Sequence, residues 1–310
     1  MDIFNLPLIK DFYFKLYKPD LKKIKIIMPK PDVKLYHNNS NYNCGDKRFI
    51  NDIEKFKGTI SRNINRKYLN NFYKNIDGLT ITCEDIKKEK NQILEVKGCY
   101  YQCNNKILLS KKIKPDTIYH ELFHVASSTI KNGNNYSGFN QYFFYKGKWY
   151  DIAEGINEGY TQVLTERYFS KEKNVLSSYP FEKEVVLCIE NLIGRRKLEE
   201  FYFTNNLEEL ISELKKYTNN PDEIDELILK TDYINKNLYN KLDIEELLKL
   251  KRYIKNVSFI LVKLKVNKLI EEVENERISN KEFNKSLINY ITCLSKTIKV
   301  RFNKFYYIDI

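Results

Sequence analysis

Two of the three histidines of this chain stand four residues apart, in the segment His120-Glu121-Leu122-Phe123-His124. Residues four apart lie one above the other on the same face of an α-helix. The two imidazoles can therefore hold one metal ion, while Glu121 projects beside them toward a metal-bound water. The spacing predicts that these residues form a helix and that the helix carries a zinc-hydrolase type of site.

The residues before this segment have a mixed pattern. Apolar residues at helical spacing predict a helix from residue 49 to 76, which Asp77-Gly78 would end. Short segments of β type follow at residues 79–83, 93–102 and 106–110, and Asn104-Asn105 would form a hairpin turn.

The residues after the histidines are mainly of helical type. Pro115 and Asp116 open the histidine helix, and Asn132-Gly133 are predicted to close it. The Gly-, Asn- and aromatic-rich residues 133–150 predict a long loop or an irregular hairpin. Further helices are predicted at residues 151–169, 182–203, 207–217, 244–276 and 281–301.

Together these patterns predict an α+β fold in two parts. Residues 1–170 would hold the β segments and the histidine helix, and residues 171–310 would form a mainly helical C-terminal subdomain.

A third metal ligand must come from outside the histidine helix, because zinc in catalytic sites takes three protein ligands and leaves the fourth position for water. His37, the remaining histidine, lies in an irregular stretch that is typical of a surface loop. Glu154 and Glu158 are better candidates, since they lie one turn apart on one face of the second helix. The glycines at 155 and 159 would let a neighbouring helix or an ion approach that face closely.

The chain resembles the gluzincin metallopeptidases, the thermolysin-like clan of zincins. The clan combines H-E-x-x-H with a later glutamate ligand in N-E-x-x-[ST]-[DE], which here reads Asn157-Glu158-Gly159-Tyr160-Thr161-Gln162. This match selects Glu158 over Glu154. Small uncharacterised bacterial members of the clan with a downstream Asn-Glu-Gly-x-Thr motif are especially similar. The resemblance covers residues 98–169 and implies that residues 1–170 form a zincin-like catalytic domain, with a small mixed sheet that has residues 98–102 as its edge strand.

The resemblance implies zinc-dependent hydrolysis of peptide bonds. His120, His124 and Glu158 would bind Zn²⁺, and Glu121 would be the catalytic general base. The partner would be a peptide or protein substrate, aligned along the edge strand by β-augmentation.

The chain departs from the clan pattern in two places. Gln162 stands where an acidic residue commonly accepts a hydrogen bond from the first ligand histidine, and an amide can also accept that bond. The histidine that stabilises the oxyanion in thermolysin-like enzymes is missing. A tyrosine hydroxyl is the natural replacement, and the sequence leaves Tyr150, Tyr160 and Tyr179 open as candidates.

The charge distribution allows other functions. The net charge is +12, and residues 1–150 carry 27 Lys and Arg against 14 Asp and Glu. A basic half could favour nucleic acid, but its charges are dispersed and Arg is scarce beside Lys, which disfavours base recognition. Two alternatives to a peptidase therefore stay open: a zincin-fold protein with lost or non-peptidase activity, and a basic nucleic-acid-binding protein.

The cellular location of the protein is predicted from the lack of a secretion signal and of a membrane-spanning segment in the sequence. Residues 3–9 are apolar but lack a basic flank and a cleavage site, and no apolar run is long enough for a membrane span. The six scattered cysteines are typical of free thiols in a reducing compartment. These features predict a cytoplasmic protein and leave its oligomeric state open.

Overall fold

The computed structural model describes residues 43–44, 47–84, 97–111, 116–131, 134–145, 148–169, 178–238 and 240–306. Within them the fold is mixed α+β, as predicted, with two small sheets followed by a helical region. No helix in these ranges combines the length and the apolar character needed to cross a membrane.

The predicted helix over residues 49–76 is broken. The chain forms helix α1 (Lys47–Asn63), a 3-10 turn (Arg66–Tyr68) and helix α2 (Asn70–Ile76). The break lies at Asn65, whose side chain accepts a hydrogen bond from the backbone N–H of Lys67. Such local side-chain bonds compete with the helical hydrogen bonds of the backbone.

The first sheet contains the predicted mixed pairing and the predicted edge strand. Its strands are β1 (Asn43–Cys44), β2 (Thr80–Glu84), β3 (Gly98–Tyr101) and β4 (Lys106–Ser110), in the order β1-β2-β4-β3. β1, β2 and β4 are parallel, whereas β3 pairs antiparallel with β4 and lies at the edge of the described sheet.

The histidine helix, α3 (Thr117–Ser127), ends earlier than predicted, and Asn132-Gly133 lie outside the described residues. The Ser127 and Ser128 hydroxyls bond to the carbonyl oxygens of Phe123 (3.0 Å) and His124 (2.6 Å), and the chain leaves the helix at Ser128 in an extended conformation. Side-chain bonds to the last turn satisfy carbonyls that a helix end would leave unpaired.

The predicted loop or irregular hairpin after α3 is instead part of a second sheet. Four antiparallel strands follow one another: β5 (Ser128–Lys131), β6 (Asn134–Ser137), β7 (Asn140–Tyr145) and β8 (Lys148–Ile152). Its Asn- and Gly-rich composition is typical of loops, but cross-strand pairing stabilises strands that have low intrinsic propensity.

The remaining helices are α4 (Glu154–Phe169), α5 (Pro180–Ile193), α6 (Arg195–Thr204), α7 (Leu207–Lys215), α8 (Asp222–Asn237), α9 (Ile244–Glu274) and α10 (Asn280–Tyr306). Gly194, with φ of 90°, divides the single helix that was predicted over residues 182–203. Helix α8 was not among the predicted helices. The core places α4 between α3, α5 and α8, so the predicted glutamate helix packs against helices from beyond residue 170.

Candidate metal centre

Helix α3 presents both of its histidines on one face. His120 and His124 are 7% and 8% exposed, and their Nε2 atoms lie 3.2 Å apart. Leu122 on the opposite face and Phe123 on the flank of the helix are fully buried in the core. This packing fixes the rotation of α3, so the two imidazoles converge on one point as their spacing predicts.

Helix α4 brings Glu158 to the same point. Its carboxylate oxygens lie 3.1 Å from His120 Nε2 and 3.3 Å from His124 Nε2. The three ligand atoms all lie within 4.8 Å of one another, so this group could hold a metal ion. Glu154 is not part of the cluster, and its carboxylate lies 3.6 Å from Lys236 Nζ. His37 lies outside the described residues.

The donor atoms of this cluster suit a cation. Burial alone would raise the pKa of Glu158, but His124 and His120 outweigh it and hold the pKa well below its usual value. An ionised, partly buried carboxylate beside two imidazole nitrogens is a donor set that suits a divalent transition metal. The chemistry of these three side chains therefore fits a metal ion.

The far side of His124 is bounded by polar groups. Ser137 Oγ on β6 and Asn157 Nδ2 on α4 each lie 3.5 Å from His124 Nδ1. The Asn157 amide is itself held, since its Oδ1 accepts a hydrogen bond of 3.1 Å from the backbone N–H of Phe139. Partners on the second nitrogen orient a ligand histidine. Ser137 escaped the sequence prediction because it lies in the segment interpreted as a loop.

The hydrogen bond that Gln162 could accept from the first histidine is not seen among the described residues. The Gln162 amide instead donates to Glu166 Oε1 over 3.0 Å, one turn further along α4. The Gln162 amide nitrogen thus has a carboxylate partner on its own helix.

Glu121 lies against the edge strand. It is 5% exposed, and its carboxylate accepts a hydrogen bond from the backbone N–H of Tyr100 on β3. Burial raises the pKa of Glu121 to about 7, while the charge of His120 and the Tyr100 bond oppose that rise. A carboxyl group with a pKa near neutrality can both accept and return a proton.

The three candidate tyrosines occupy different places. The Tyr179 ring stacks on His120, with centroids 5.6 Å apart, and its hydroxyl bonds to the Glu158 carboxylate. Tyr160 packs against Tyr202 in the core, two residues along α4 from Glu158 and hence on the opposite face of that helix. Tyr150 is half-buried on β8. Tyr179 is therefore the candidate that touches the cluster.

The acidic groups of the site also affect the pKa of a fourth tyrosine, Tyr142 on β7. Burial, followed by the negative charges of Glu154 and Glu158, raises its pKa. The sequence carried no signal for Tyr142, since nothing in its neighbourhood resembles a motif.

The start of α4 is fixed by a residue from α8. The buried Asp232 carboxylate accepts hydrogen bonds of 2.8 Å from the backbone N–H groups of Ala153 and Gly155. Ala153 takes a left-handed conformation, with φ of 64°, as the chain turns from β8 into the helix. A carboxylate at a helix N-terminus satisfies N–H groups that have no partner within the helix.

Helices approach α4 at both of its glycines. A Cβ at Gly155 would lie 2.8 Å from the carbonyl oxygen of Thr231 on α8, and one at Gly159 would overlap the carbonyl of Glu182 on α5. The predicted close approach at this face is therefore made by helices. This packing fixes the position of α4, and with it Glu158, relative to α5 and α8.

Protein-family models, curated proteins and solved structures were all compared with this chain, and none of them matches it.

Proposed function

We propose that this chain is a zinc-dependent metallopeptidase of gluzincin type. The observation that carries the proposal is the convergence of His120, His124 and Glu158. The carboxylate of Glu121 lies beside them and is bonded to the edge strand. Two histidines and a glutamate that leave one position open form a known ligand set of catalytic zinc.

His120, His124 and Glu158 would hold the zinc ion. When bound there, zinc would lower the pKa of a coordinated water toward neutrality. Glu121 would accept the proton of the attacking water and deliver it to the leaving amine nitrogen, a role that suits its raised pKa. The Tyr179 hydroxyl, which lies next to Glu158, would donate a hydrogen bond to the substrate carbonyl oxygen as negative charge develops on it.

The substrate would be an extended segment of peptide or protein. β3 lies at the edge of the sheet that the structure describes, where its outward backbone groups other than the Tyr100 N–H would pair with such a segment, and β-augmentation needs no particular side chains. The predicted location of the activity is the cytoplasm.

The metal is tested with two glutamate variants. Purified wild type should contain one zinc per chain by elemental analysis, and Glu158→Ala should lose it. The matched control is Glu154→Ala, one turn away on the same face of α4, which should keep its zinc. Equal zinc content in wild type and Glu158→Ala would contradict the ligand assignment.

The activity is tested on a mixed peptide library. Wild type should cleave it, and Glu121→Gln should keep its zinc but lose about 10²- to 10⁴-fold in rate. Bound zinc without cleavage would favour a zincin-fold protein with another role. Absence of zinc, together with strong salt-sensitive binding to nucleic acid, would favour the basic nucleic-acid-binding alternative.

A further inference from the structure

Gly98 lies where the edge strand meets the histidine helix, and the site occupies the space that a side chain would need. A Cβ at residue 98 would stand 2.8 Å from Glu121 Oε1 and 2.9 Å from Thr117 Cγ2. It would also stand 3.1 Å from Glu121 Cγ. Carbon atoms do not approach other heavy atoms this closely, so any residue other than glycine must displace its neighbours.

The register of β3 explains why Glu121 reaches the strand here. The Ser110 N–H donates to the Lys97 carbonyl over 2.8 Å, and bonded and non-bonded pairs alternate along an antiparallel ladder. Gly98 and Tyr100 therefore turn their backbone groups away from β4. The outward N–H of Tyr100 is the one that donates to Glu121.

We propose that Gly98 is a positioning residue for Glu121: with no side chain at residue 98, the carboxylate can lie against β3 and bond to the Tyr100 N–H beside the metal cluster. The importance of this position for catalysis rests on the proposed function. The placement itself does not, because it is a property of the protein without metal or substrate.

The effect of a methyl group at Gly98 follows from what surrounds it. The nearest atom, Glu121 Oε1, is the terminal atom of a flexible side chain, so it can move at the cost of its bond to the Tyr100 N–H. Gly98→Ala should therefore fold, with its carboxylate displaced from the Tyr100 N–H and its three metal ligands unchanged. A glycine that served only the packing of β3 would leave this bond intact when replaced.

The first test follows the Tyr100 amide in metal-free protein labelled with ¹⁵N-tyrosine, with the resonance assigned by its loss in Tyr100→Phe. Gly98→Ala and Glu121→Gln should shift this resonance in the same direction. The matched control is Gly58→Ala on α1, where a Cβ meets nothing within 4 Å, and it should leave the resonance in place. A wild-type resonance position in Gly98→Ala would overturn the proposal.

A second variant covers the case in which Gly98→Ala is too unstable to study. Thr117→Ser removes the methyl group that stands 2.9 Å from the added Cβ, so Gly98→Ala/Thr117→Ser leaves Glu121 as the group to be displaced. The amide shift is then compared with that of Thr117→Ser alone. Identical Tyr100 resonances in these two proteins would also overturn the proposal.

Kinetics separate this proposal from the proposed function. With a library peptide as substrate, Gly98→Ala should keep its zinc and its KM and lose about 10²-fold in kcat, a loss that a misplacement of about 1 Å can cause. In the Gly98→Ala background, Glu121→Asp should cost less than in wild type, because the carboxylate is already displaced. Additive losses would overturn the proposal. If Gly98→Ala shifts the Tyr100 amide resonance but wild type cleaves no peptide, the positioning role would stand and only the peptidase function would be contradicted.

Discussion

The ring of Tyr179 stacks on the imidazole of His120, with centroids 5.6 Å apart and ring planes 18° from parallel. Tyr179 holds this place in a left-handed conformation, with φ of 52°, immediately before Pro180 begins α5. Such a backbone costs free energy for a residue with a side chain and persists where the surrounding packing enforces it. The stacking and the bond to Glu158 put the phenol at the rim of the group formed by His120, His124 and Glu158.

Tyr179→Phe should separate the stacking from the hydroxyl. The ring would stay on His120, so zinc content should be unchanged, while kcat should fall about 10²- to 10³-fold because a donor to the developing oxyanion is lost. Tyr160→Phe is the control, since that phenol lies on the other face of α4, and its kcat should stay near that of wild type. Equal kcat values for Tyr179→Phe and wild type would assign the oxyanion to another group.

Glu121 should titrate far above an ordinary glutamate in the metal-free protein. Burial raises its pKa from 4.5 to about 7, so the protonated form should predominate at pH 6. A ¹³C NMR titration of the glutamate carboxyl groups, assigned with Glu121→Gln, would locate the midpoint. A nearby cation favours the carboxylate, so zinc should move the midpoint downward. A metal-free midpoint close to 4.5 would contradict this expectation.

The fully buried Glu182 should make the protein less stable at alkaline pH. Burial raises its pKa from 4.5 to about 8, so between these values the folded state binds a proton that the unfolded state has released. Stability then falls as pH rises through this window, by up to about 1.4 kcal/mol per pH unit.

Urea unfolding of wild type and Glu182→Gln at pH 5.5 and pH 8 tests the sign. The neutral amide cannot ionise, so the free energy of unfolding of Glu182→Gln should gain on that of wild type as pH rises. The same difference between the two proteins at both pH values would mean that Glu182 titrates normally.

Asp232→Ala should weaken both the fold and the metal centre. Its removal leaves two buried N–H groups at the start of α4 without their carboxylate, at a cost of about 1–3 kcal/mol in the free energy of unfolding. Glu158 lies one turn further along the same helix, so zinc affinity should fall as well. Asp222→Ala, at an exposed position of α8, should stay within about 0.5 kcal/mol of wild type. Equal losses in the two variants would show that α8 is being destabilised in general.

Local sequence patterns were sufficient to predict the three side chains at the centre of the site, His120, His124 and Glu158. The spacing of His120 and His124 works because an α-helix repeats every 3.6 residues, and that geometry needs no distant contact. The Asn157-Glu158 motif, through its resemblance to the clan pattern, selected the glutamate that the structure brings to the histidines. The β segment that Glu121 contacts was predicted from its pattern and the hairpin turn after it, whereas its place at the edge of the sheet was implied by the resemblance.

Distant contacts decided the rest of the site, because they join residues whose separation along the chain leaves no periodic signal. Asp232 reaches Ala153 across 79 positions, from a helix that was not predicted. Ser137 reaches His124 from a sheet whose strands are stabilised mainly by their partners. Tyr179 was one of three equal candidates until packing placed it on His120. The sequence by itself determined which side chains can bind a metal on one helical turn, and the tertiary structure decided which groups orient them, because orientation depends on packing between elements.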